Sequence, residues 1–310
     1  MITYLKSTEN GLEQLETVTS GVWINVIDPT TDEIEELTHL GIPMDFITYP
    51  LDIDERPRTE REDDGTTLIL IRIPYFQGTR VDVPFTTIPL GVVLAENFIL
   101  TVCRRPNEII QEFAGGKVRG LSTSKRNRFV LRVLLNTANK YLAYLREIDK
   151  TVDVLEDQLQ ASMRNKEVME LLKYQKSLVY FTTALKSNEL VLERLQRGQL
   201  FHMYPDDEDL LEDVITENQQ AIEMINISNN ILSSMMDAFA SIISNNLNVV
   251  MKFLASVTIV LNLPTIVTSF FGMNVGFPFQ NQPWAYLAIL AVAILLSTVV
   301  VVIFVKRDWF

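Results

Sequence analysis

Two long apolar runs near the end of the chain constrain its fold most strongly. Phe253–Phe271 has 19 residues and Trp284–Val305 has 22, and neither run contains a charged side chain. A helix rises about 1.5 Å per residue, so about 20 residues cross a hydrocarbon core of roughly 30 Å. The sequence therefore predicts two transmembrane helices, 253–271 and 284–305, rather than two buried helices of a soluble core.

The charges around these runs predict how they are oriented. Lys252 precedes the first run, Lys306 and Arg307 follow the second, and the connecting loop Gly272–Pro283 has no Lys or Arg. Positive charge collects on the cytoplasmic side of a membrane protein. We therefore expect a multi-pass protein of the cell membrane with both termini in the cytoplasm, an extracytoplasmic loop 272–283 and a basic tail 306–310.

The composition of the remainder excludes several functional classes. The net charge of −12 disfavours nucleic acid as a partner. The single Cys103 excludes an intramolecular disulfide, and with only two histidines a structural zinc site is not expected. The sequence contains no P-loop and no motif that pairs a nucleophile with a base, so it does not indicate an enzyme. It also contains no motif that indicates a bound cofactor.

Residues 1–120 are predicted to form a cytoplasmic α/β domain. Eight of the twelve prolines lie before Asn107. A short acidic helix is predicted at Asp32–Leu40, with Thr30 or Thr31 able to cap it. Short runs rich in β-formers predict strands, at Gly21–Ile27, Thr66–Ile73, Phe85–Leu94 and Asn97–Cys103.

Residues 121–252 are predicted to form a helical stalk, which makes the whole chain an α+β membrane protein. Two helices are expected at Ser122–Met163 and Lys166–Arg197. A third begins at Pro205 and meets no Gly or Pro before Pro264. If it continues into the first apolar run, it has about 66 residues and a length on the order of 100 Å.

A stripe of mostly polar residues follows this third helix from the stalk into the apolar run. Polar groups that face lipid are costly, so these side chains should face other helices or water. For any single residue, hydrogen bonding between helices remains an alternative. One helix cannot enclose a pore, so a pore would require a ring-shaped homo-oligomer. The candidate pore-lining residues in this stripe are Asn248, Met251, Thr258, Asn262, Thr265 and Ser269.

Acidic residues dominate the stalk. Between Arg197 and Lys252 there are nine Asp or Glu residues and no Lys or Arg. Repeated around a ring, they would concentrate cations. Asp206–Asp209 are expected to be an ordinary solvated face. Asp237 stands alone in the otherwise uncharged stretch Met224–Met251, and is either a divalent-ion ligand or a group hydrogen-bonded within the bundle.

The turn after the first run carries the tripeptide Gly272-Met273-Asn274. Together with the pattern Asn248-x-x-Met251-Lys252-x-Leu254 and with Thr265, it resembles the CorA family of divalent-cation channels, best known for magnesium. The resemblance implies a funnel-shaped homopentamer in the membrane lipid, whose pore is lined by one long helix per subunit.

The resemblance also implies roles for particular residues. Gly272, Met273 and Asn274 would form the selectivity motif, with Asn274 holding a hydrated cation at the outer mouth. Met251 and Leu254 would form an apolar constriction of the pore. The remaining candidate metal ligands, on the stalk side of regulatory magnesium sites between subunits, are Asp213 and Asp237.

Some positions depart from the family pattern. The loop 275–283 has no acidic residue, and Asn262 stands where the family has an apolar pore residue. Thr48-Tyr49 stand where acids would complete the regulatory sites, although Asp52 and Asp54 lie close in sequence and could substitute.

Three functions are compatible with these features. The sequence favours passive influx of Mg²⁺, with Co²⁺ or Ni²⁺ as further ions. A transporter of zinc or another divalent cation with the same architecture is the alternative. A membrane-anchored sensor is an alternative of another class, although a simple anchor has no need of a polar stripe across its span.

Overall fold

The strands of the N-terminal part form a single sheet in the computed structural model, which describes residues 1–9, 11–162, 165–198, 204–273, 276, 282–307 and 309. Within these residues the sheet has seven strands in the order β2-β1-β3-β7-β6-β5-β4. Neighbouring strands are antiparallel except for the parallel pair of β3 and β7. The strands are β1 Ile2–Thr8, β2 Gly11–Leu15, β3 Val22–Ile27, β4 Arg58–Arg61, β5 Thr67–Phe76, β6 Phe85–Leu94 and β7 Phe98–Cys103.

Helices follow or interrupt these strands. Among the described residues, three short helices and one 3-10 turn lie among the strands or directly after them, and four long helices follow. The helices are α1 Thr31–His39, α2 Met44–Thr48, the 3-10 turn Tyr49–Leu51, α3 Glu108–Ala114, α4 Arg126–Ser162, α5 Asn165–Gln196, α6 Pro205–Phe271 and α7 Ala285–Lys306.

Both faces of the sheet are covered, which explains why its central strands are apolar without alternation. In β5, Ile69 and Ile71 belong to the core shared with α3, α4 and α5. Leu68 and Leu70 point to the opposite face and join the core with α1 and α2. Trp23 lies in the first of these cores, where its indole Nε1 donates to Thr101 Oγ1 at 2.8 Å.

The predicted elements are confirmed where the sequence pattern was strong. The four predicted strands correspond to β3, β5, β6 and β7. The acidic helix is α1, and Thr30 caps it in a capping box with Glu33. The edge strands β1, β2 and β4 were not predicted. Their side chains are mostly polar and half-exposed, so they lack the apolar run that marks a buried strand.

The contacts of the chain divide it into two compact units, Met1–Ser233 and Ser234–Phe310. The sequence assigned residues 121–252 to a helical stalk, and in the structure α4 and α5 pack on β5 and β6 in the first unit. This packing fully buries the apolar stripes of both helices, which include Phe129 and Phe181. Met163, the predicted end of the first stalk helix, lies outside the described residues.

Asn188 of α5 completes the hydrogen bonding of the sheet beyond the end of β4. The last residue of β5 that pairs with β4 is Leu70, opposite Arg58, so Arg72 has no strand neighbour on that side. Arg72 N donates to Asn188 Oδ1 at 2.9 Å, and Asn188 Nδ2 donates to Arg72 O at 2.8 Å. Tyr141 Oη donates to the same carbonyl at 3.0 Å. The amide side chain therefore takes the place of a strand.

The side chain of Arg72 holds the loop before β4 against the sheet. Its guanidinium donates to the carbonyls of Ile53 and Glu55, each at 2.9 Å, and to the hydroxyl and carbonyl oxygens of Thr87. Burial lowers the pKa of this group, but a guanidinium stays protonated in proteins. Four oxygen acceptors thus replace the water that the charge lost.

We predict that Asn188→Ala destabilises the protein by about 1–3 kcal/mol, because Arg72 N is left without an acceptor inside the protein. Chemical denaturation monitored by circular dichroism measures the change. Ser187→Ala is the matched control, because the bond that the structure describes for Ser187 Oγ lies within its own helix, to Thr183 O. An equal effect of the two substitutions would contradict the role given to Asn188.

Candidate functional site

The C-terminal unit contains two helices that are long and apolar enough to cross a membrane. They are the apolar part of α6 and the whole of α7. Only 6% of each apolar window is buried within the chain, whereas a core helix of a soluble protein is mostly buried. The exposed apolar surface is therefore available to lipid or to other copies of the chain.

Within the C-terminal unit, one side of α6 is buried and another side is exposed. On α6, Ser256 is 0% exposed and Val267 is 9% exposed, and on α7 Ala293 is 2% exposed. At about 100° per residue, Ser256 and Val267 fall within roughly 20° of each other around the helix. These small or compact side chains thus form one narrow buried face of α6.

The candidate pore-lining residues of the span lie on the opposite side of α6. By the same helical geometry, their directions differ from that of Ser256 by roughly 160–240°. All of them are exposed. The residues in question are Leu254, Thr258, Asn262, Thr265 and Ser269.

Two exposed apolar side chains precede these polar residues. Met251 and Leu254 are 56% and 57% exposed. Asn248, one turn earlier, is exposed as well. The exposed side of α6 therefore changes from apolar at Met251 and Leu254 to mostly polar between Thr258 and Ser269.

The hydroxyl of Thr258 has a fixed direction. Its Oγ1 donates to the carbonyl of Leu254 at 2.8 Å. Because the only hydroxyl proton is used within the helix, the oxygen presents its lone pairs outward. Thr258 thus offers an acceptor on the exposed face, and such acceptors suit ligands that carry hydrogen-bond donors, such as a cation's bound water.

Two hydroxyls of α6 were not singled out from the sequence. Ser256 Oγ donates to Lys252 O at 2.7 Å on the buried face. Thr268 Oγ1 donates to the carbonyls of Pro264 and Thr265 at 3.0 and 3.1 Å. Both are contacts of a helix hydroxyl with a carbonyl of the preceding turn, as is common for Ser and Thr within helices.

The signature tripeptide begins where α6 ends. Gly272 N donates to Thr268 O at 2.9 Å. A Cβ on Gly272 would lie 3.1 Å from that same carbonyl oxygen, so a larger residue would press on the last turn. Met273 is 57% exposed. Asn274 lies outside the described residues, as do the loop residues 277–281 and the tail positions 308 and 310.

The two candidate acidic ligands on α6, Asp213 and Asp237, are both exposed. They are separated by more than six helical turns, so one chain does not bring them to one ion. Among the residues that the structure describes, no group of three His, Cys, Asp or Glu side chains is placed to hold a metal. A metal site involving either carboxylate would need further ligands.

The segment from Thr48 to Asp54, where the resemblance implied regulatory acids, has local contacts in the structure. The Tyr49 ring lies under the guanidinium of Arg58, 4.4 Å from its centroid. Asp52 Oδ1 accepts from Asp54 N at 3.0 Å. The carboxylate of Asp52 is therefore part of a local turn, although it stays exposed.

The beginning of α6 is fixed to α4 by an ion pair. Arg128 Nε donates to Asp207 Oδ1 at 2.7 Å, and a second guanidinium nitrogen lies 3.2 Å from Asp206 Oδ2. Asp207 is 3% exposed. Its carboxylate in the first turn of α6 also complements the helix dipole. Part of the predicted solvated acidic face is thus a structural contact.

A second contact holds α6 further along the first unit. Ser228 Oγ donates to Asp149 Oδ1 of α4 at 2.7 Å, and Asn229 Nδ2 donates to Thr182 Oγ1 of α5 at 3.2 Å. Burial raises the pKa of Asp149, while the bond from Ser228 opposes the increase. These polar contacts therefore fix the register of α6 against α4 and α5.

Similarity to known proteins covers nearly the whole chain. Residues 19–307 match the family model described as CorA-like Mg²⁺ transporter protein. The cobalt/magnesium transport protein CorA of Methanocaldococcus jannaschii is 30% identical over 300 residues, which are 93% of this chain and 91% of that protein. The protein of the same description from Thermotoga maritima is 25% identical over 304 residues, covering 93% of this chain and 83% of its own length.

The three-dimensional structure agrees with these matches. The complete structure of the CorA magnesium transporter from Methanocaldococcus jannaschii superposes with a TM-score of 0.86 at 26% identity, covering 100% of this chain and 99% of that one. The shared fold comprises the α/β unit, the long helix and the two C-terminal apolar helices. On its sequence and its fold, this chain belongs to the family of CorA-like Mg²⁺ transporter proteins.

Proposed function

We propose that the protein is a channel for passive influx of divalent cations, with Mg²⁺ as its main ion and Co²⁺ or Ni²⁺ as further ones. The observation that carries this proposal is the polar side of α6 between Thr258 and Ser269, which lies opposite the buried Ser256–Val267 face inside an apolar span. Such a face is costly against lipid. It is inexpensive when copies of α6 surround a water-filled path.

The path requires several copies of the chain. We infer a homopentamer in the cell membrane in which α6 of each subunit lines the pore and α7 lies outside it. Both termini are cytoplasmic in this proposal, since Lys252, Lys306 and Arg307 lie at one end of the two spans. The number five comes from the family, whereas the need for more than one copy follows from the single polar face.

The chemistry of the face suits an ion that keeps its water. Mg²⁺ dehydrates reluctantly, so a lining of neutral oxygen acceptors can hold its water shell without replacing it. Thr258 presents an oxygen acceptor of this kind. Asn262 is an exposed amide one turn further along. These groups are neutral, so they support passage of the ion rather than tight binding of it.

Flux through the purified protein tests the proposal directly. Liposomes containing the full-length chain should take up Mg²⁺ down its gradient without ATP, and protein-free liposomes should not. Competition with Co²⁺, Ni²⁺ and Zn²⁺ in the same assay orders the ions. Preference for Zn²⁺ over Mg²⁺ would support the alternative of a zinc transporter, and absence of flux for every ion would leave only a sensor.

We predict that Asn274→Ala reduces Mg²⁺ uptake to the background of empty liposomes while the oligomer still assembles. An alanine cannot hydrogen-bond the water shell of a cation at the outer mouth. Flux and native mass determination of the same preparation measure the two properties. Asn281→Ala, in the same loop, is the control and should retain uptake. Normal uptake by an assembled Asn274→Ala variant would refute this role.

We predict that Met251→Ser and Leu254→Ser each raise the leak conductance of the closed channel. A hydrophilic ring wets more readily than an apolar one, and both side chains are more than half exposed in the single chain. Single-channel recordings measure the leak. Val267→Ser is the control, because Val267 is buried on the other face and should lower the thermal stability without adding leak.

We predict that Asp237→Asn weakens the thermal stabilisation of the oligomer by Mg²⁺. Asp237 is the one acidic residue between Met224 and Met251, and carboxylates around an axis repel one another unless a cation neutralises them. Binding adds about 2.7 kcal/mol of stability at a hundredfold excess over Kd. Melting curves with and without Mg²⁺ measure the change. If wild type and variant respond equally, Asp237 is not a ligand.

A further inference from the structure

One side of α6 is exposed in the first unit. Ile227 and Ile231 are 59% and 54% exposed, and Asp213 and Gln220 are exposed as well. At about 100° per residue, these four side chains point within roughly 40° of one another. They form one stripe, acidic near the start of the helix and apolar further along, which we call the exposed stripe of α6.

The helix α5 covers a different side of α6. Asn229 Nδ2 of α6 donates to Thr182 Oγ1 of α5, and Ile215 of α6 lines a small cleft with Leu192 of α5. Around the helix, the directions of Ile215 and Asn229 differ from that of Ile227 by roughly 120–160°. The exposed stripe therefore lies nearly opposite the contact with α5, and its two isoleucines are left for a further partner.

The helix α5 has an exposed side of its own, which carries apolar and basic residues. Val179, Tyr180 and Leu190 are 57%, 48% and 61% exposed. Arg194, one turn after Leu190, is exposed, and its Nη1 donates to two oxygen atoms of Thr59 at 3.3 and 3.5 Å. Both acceptors are neutral. The positive charge of Arg194 thus has no carboxylate beside it in the part of the chain that the structure describes.

The contacts between α5 and α6 within one chain show which residues of the two helices lie at the same level. Thr182 lies opposite Asn229, and Leu192 lies beside Gln219 in the cleft. The later residue on α5 thus meets the earlier residue on α6, so the two helices are antiparallel. Each step of one residue forward along α6 corresponds to one residue back along α5.

This register places matching groups at matching levels. Ile231 is level with Tyr180, and Ile227 lies within about one turn of the same ring. Asp213 lies within about one turn of Arg194, which is within reach of a long arginine side chain. Within the described residues, neither of these two charges has an ion-pair partner of the opposite sign.

A closed ring of copies brings the two exposed sides together. In a cyclic ring, one surface of each subunit meets a different surface of the next. Rotation about the ring axis does not move a subunit along that axis, so helices that run along the axis keep their levels from one copy to the next. An acidic residue then meets a basic one, and isoleucine meets tyrosine. Such complementary charges fix the register of an interface.

We propose that the exposed side of α5 packs against the exposed stripe of α6 in the next subunit. Arg194 pairs with Asp213 of that subunit, and Tyr180 packs on its Ile231. The inference rests on the proposed ring and adds a surface that holds the ring together outside the membrane. Each α6 then lies between two α5 helices, its own and that of the neighbour. Arginine supplies the positive charge that Asp213 would otherwise take from a metal ion.

Disulfide cross-linking between full-length chains of two sizes tests this interface. A tagged chain with Tyr180→Cys and an untagged chain with Ile231→Cys are produced together and oxidised. Both carry Cys103→Ser, which removes the other cysteine of the chain and keeps a hydroxyl for Pro89 O. We expect a covalent dimer of one tagged and one untagged chain, because the two positions face each other across subunits.

Asn230→Cys in place of Ile231→Cys is the matched control. Asn230 is exposed and adjacent in sequence, but it is turned by about 100° around α6, so its dimer yield should be at least fivefold lower. Equal yields from the two positions, or no cross-link from Ile231→Cys, would overturn the interface.

Charge reversal tests the ion pair. Asp213→Arg and Arg194→Asp should each lower the temperature at which the oligomer dissociates, and the double variant should recover at least half of the loss. Glu208→Arg is the control, because Glu208 is exposed but turned by about 100° from the exposed stripe. A double variant that recovers nothing would overturn the pairing.

Native mass and Mg²⁺ flux of the wild type keep this inference apart from the proposed function. A ring that conducts Mg²⁺ but lacks the specific cross-link would overturn the interface and leave the channel in place. A wild-type protein that stays monomeric would overturn the proposed channel together with the interface.

Discussion

The structure depends on which side of α6 is buried and which side is exposed. Inside a bilayer the backbone of α6 must satisfy its hydrogen bonds within the helix, so only the side chains can distinguish one side from another. Compact residues at Ser256 and Val267 are buried on one side, which leaves the polar side free.

The other end of α6 is held by polar contacts rather than by apolar area alone. Arg128 pairs with the buried Asp207, and Ser228 donates to the half-buried Asp149. Apolar packing tolerates small shifts, whereas a hydrogen bond fails when its partner moves by about 1 Å. These contacts therefore fix the register of the helix on α4.

The sequence predicted the parts of this architecture that repeat along the chain. Helical periodicity and the absence of Pro between Pro106 and Pro205 predicted α4 and α5, and the run from Pro205 predicted a helix that continues into the span. The polar stripe was visible for the same reason. The edge strands were missed because their pairing partners, not their own residues, make them strands. The bonds between Asn188 and Arg72 join positions far apart in sequence, so no local pattern could show them. Likewise, the burial of Ser256 and Val267 on one face of α6 depends on tertiary packing, which the sequence pattern of α6 alone does not show.

In the proposed channel, the neutral lining of the span would favour release of the ion over tight binding. The exposed face of the span carries hydroxyl and amide groups, while the acids lie before Met251. A ring of carboxylates in a low-dielectric span would bind a divalent cation too strongly to release it. Acids in a wide aqueous region raise the local cation concentration, because water screens each one. In the proposed channel, the acidic part of α6 attracts the cation and the neutral part of its span lets the cation pass. The cation then meets charged side chains only where it stays fully hydrated.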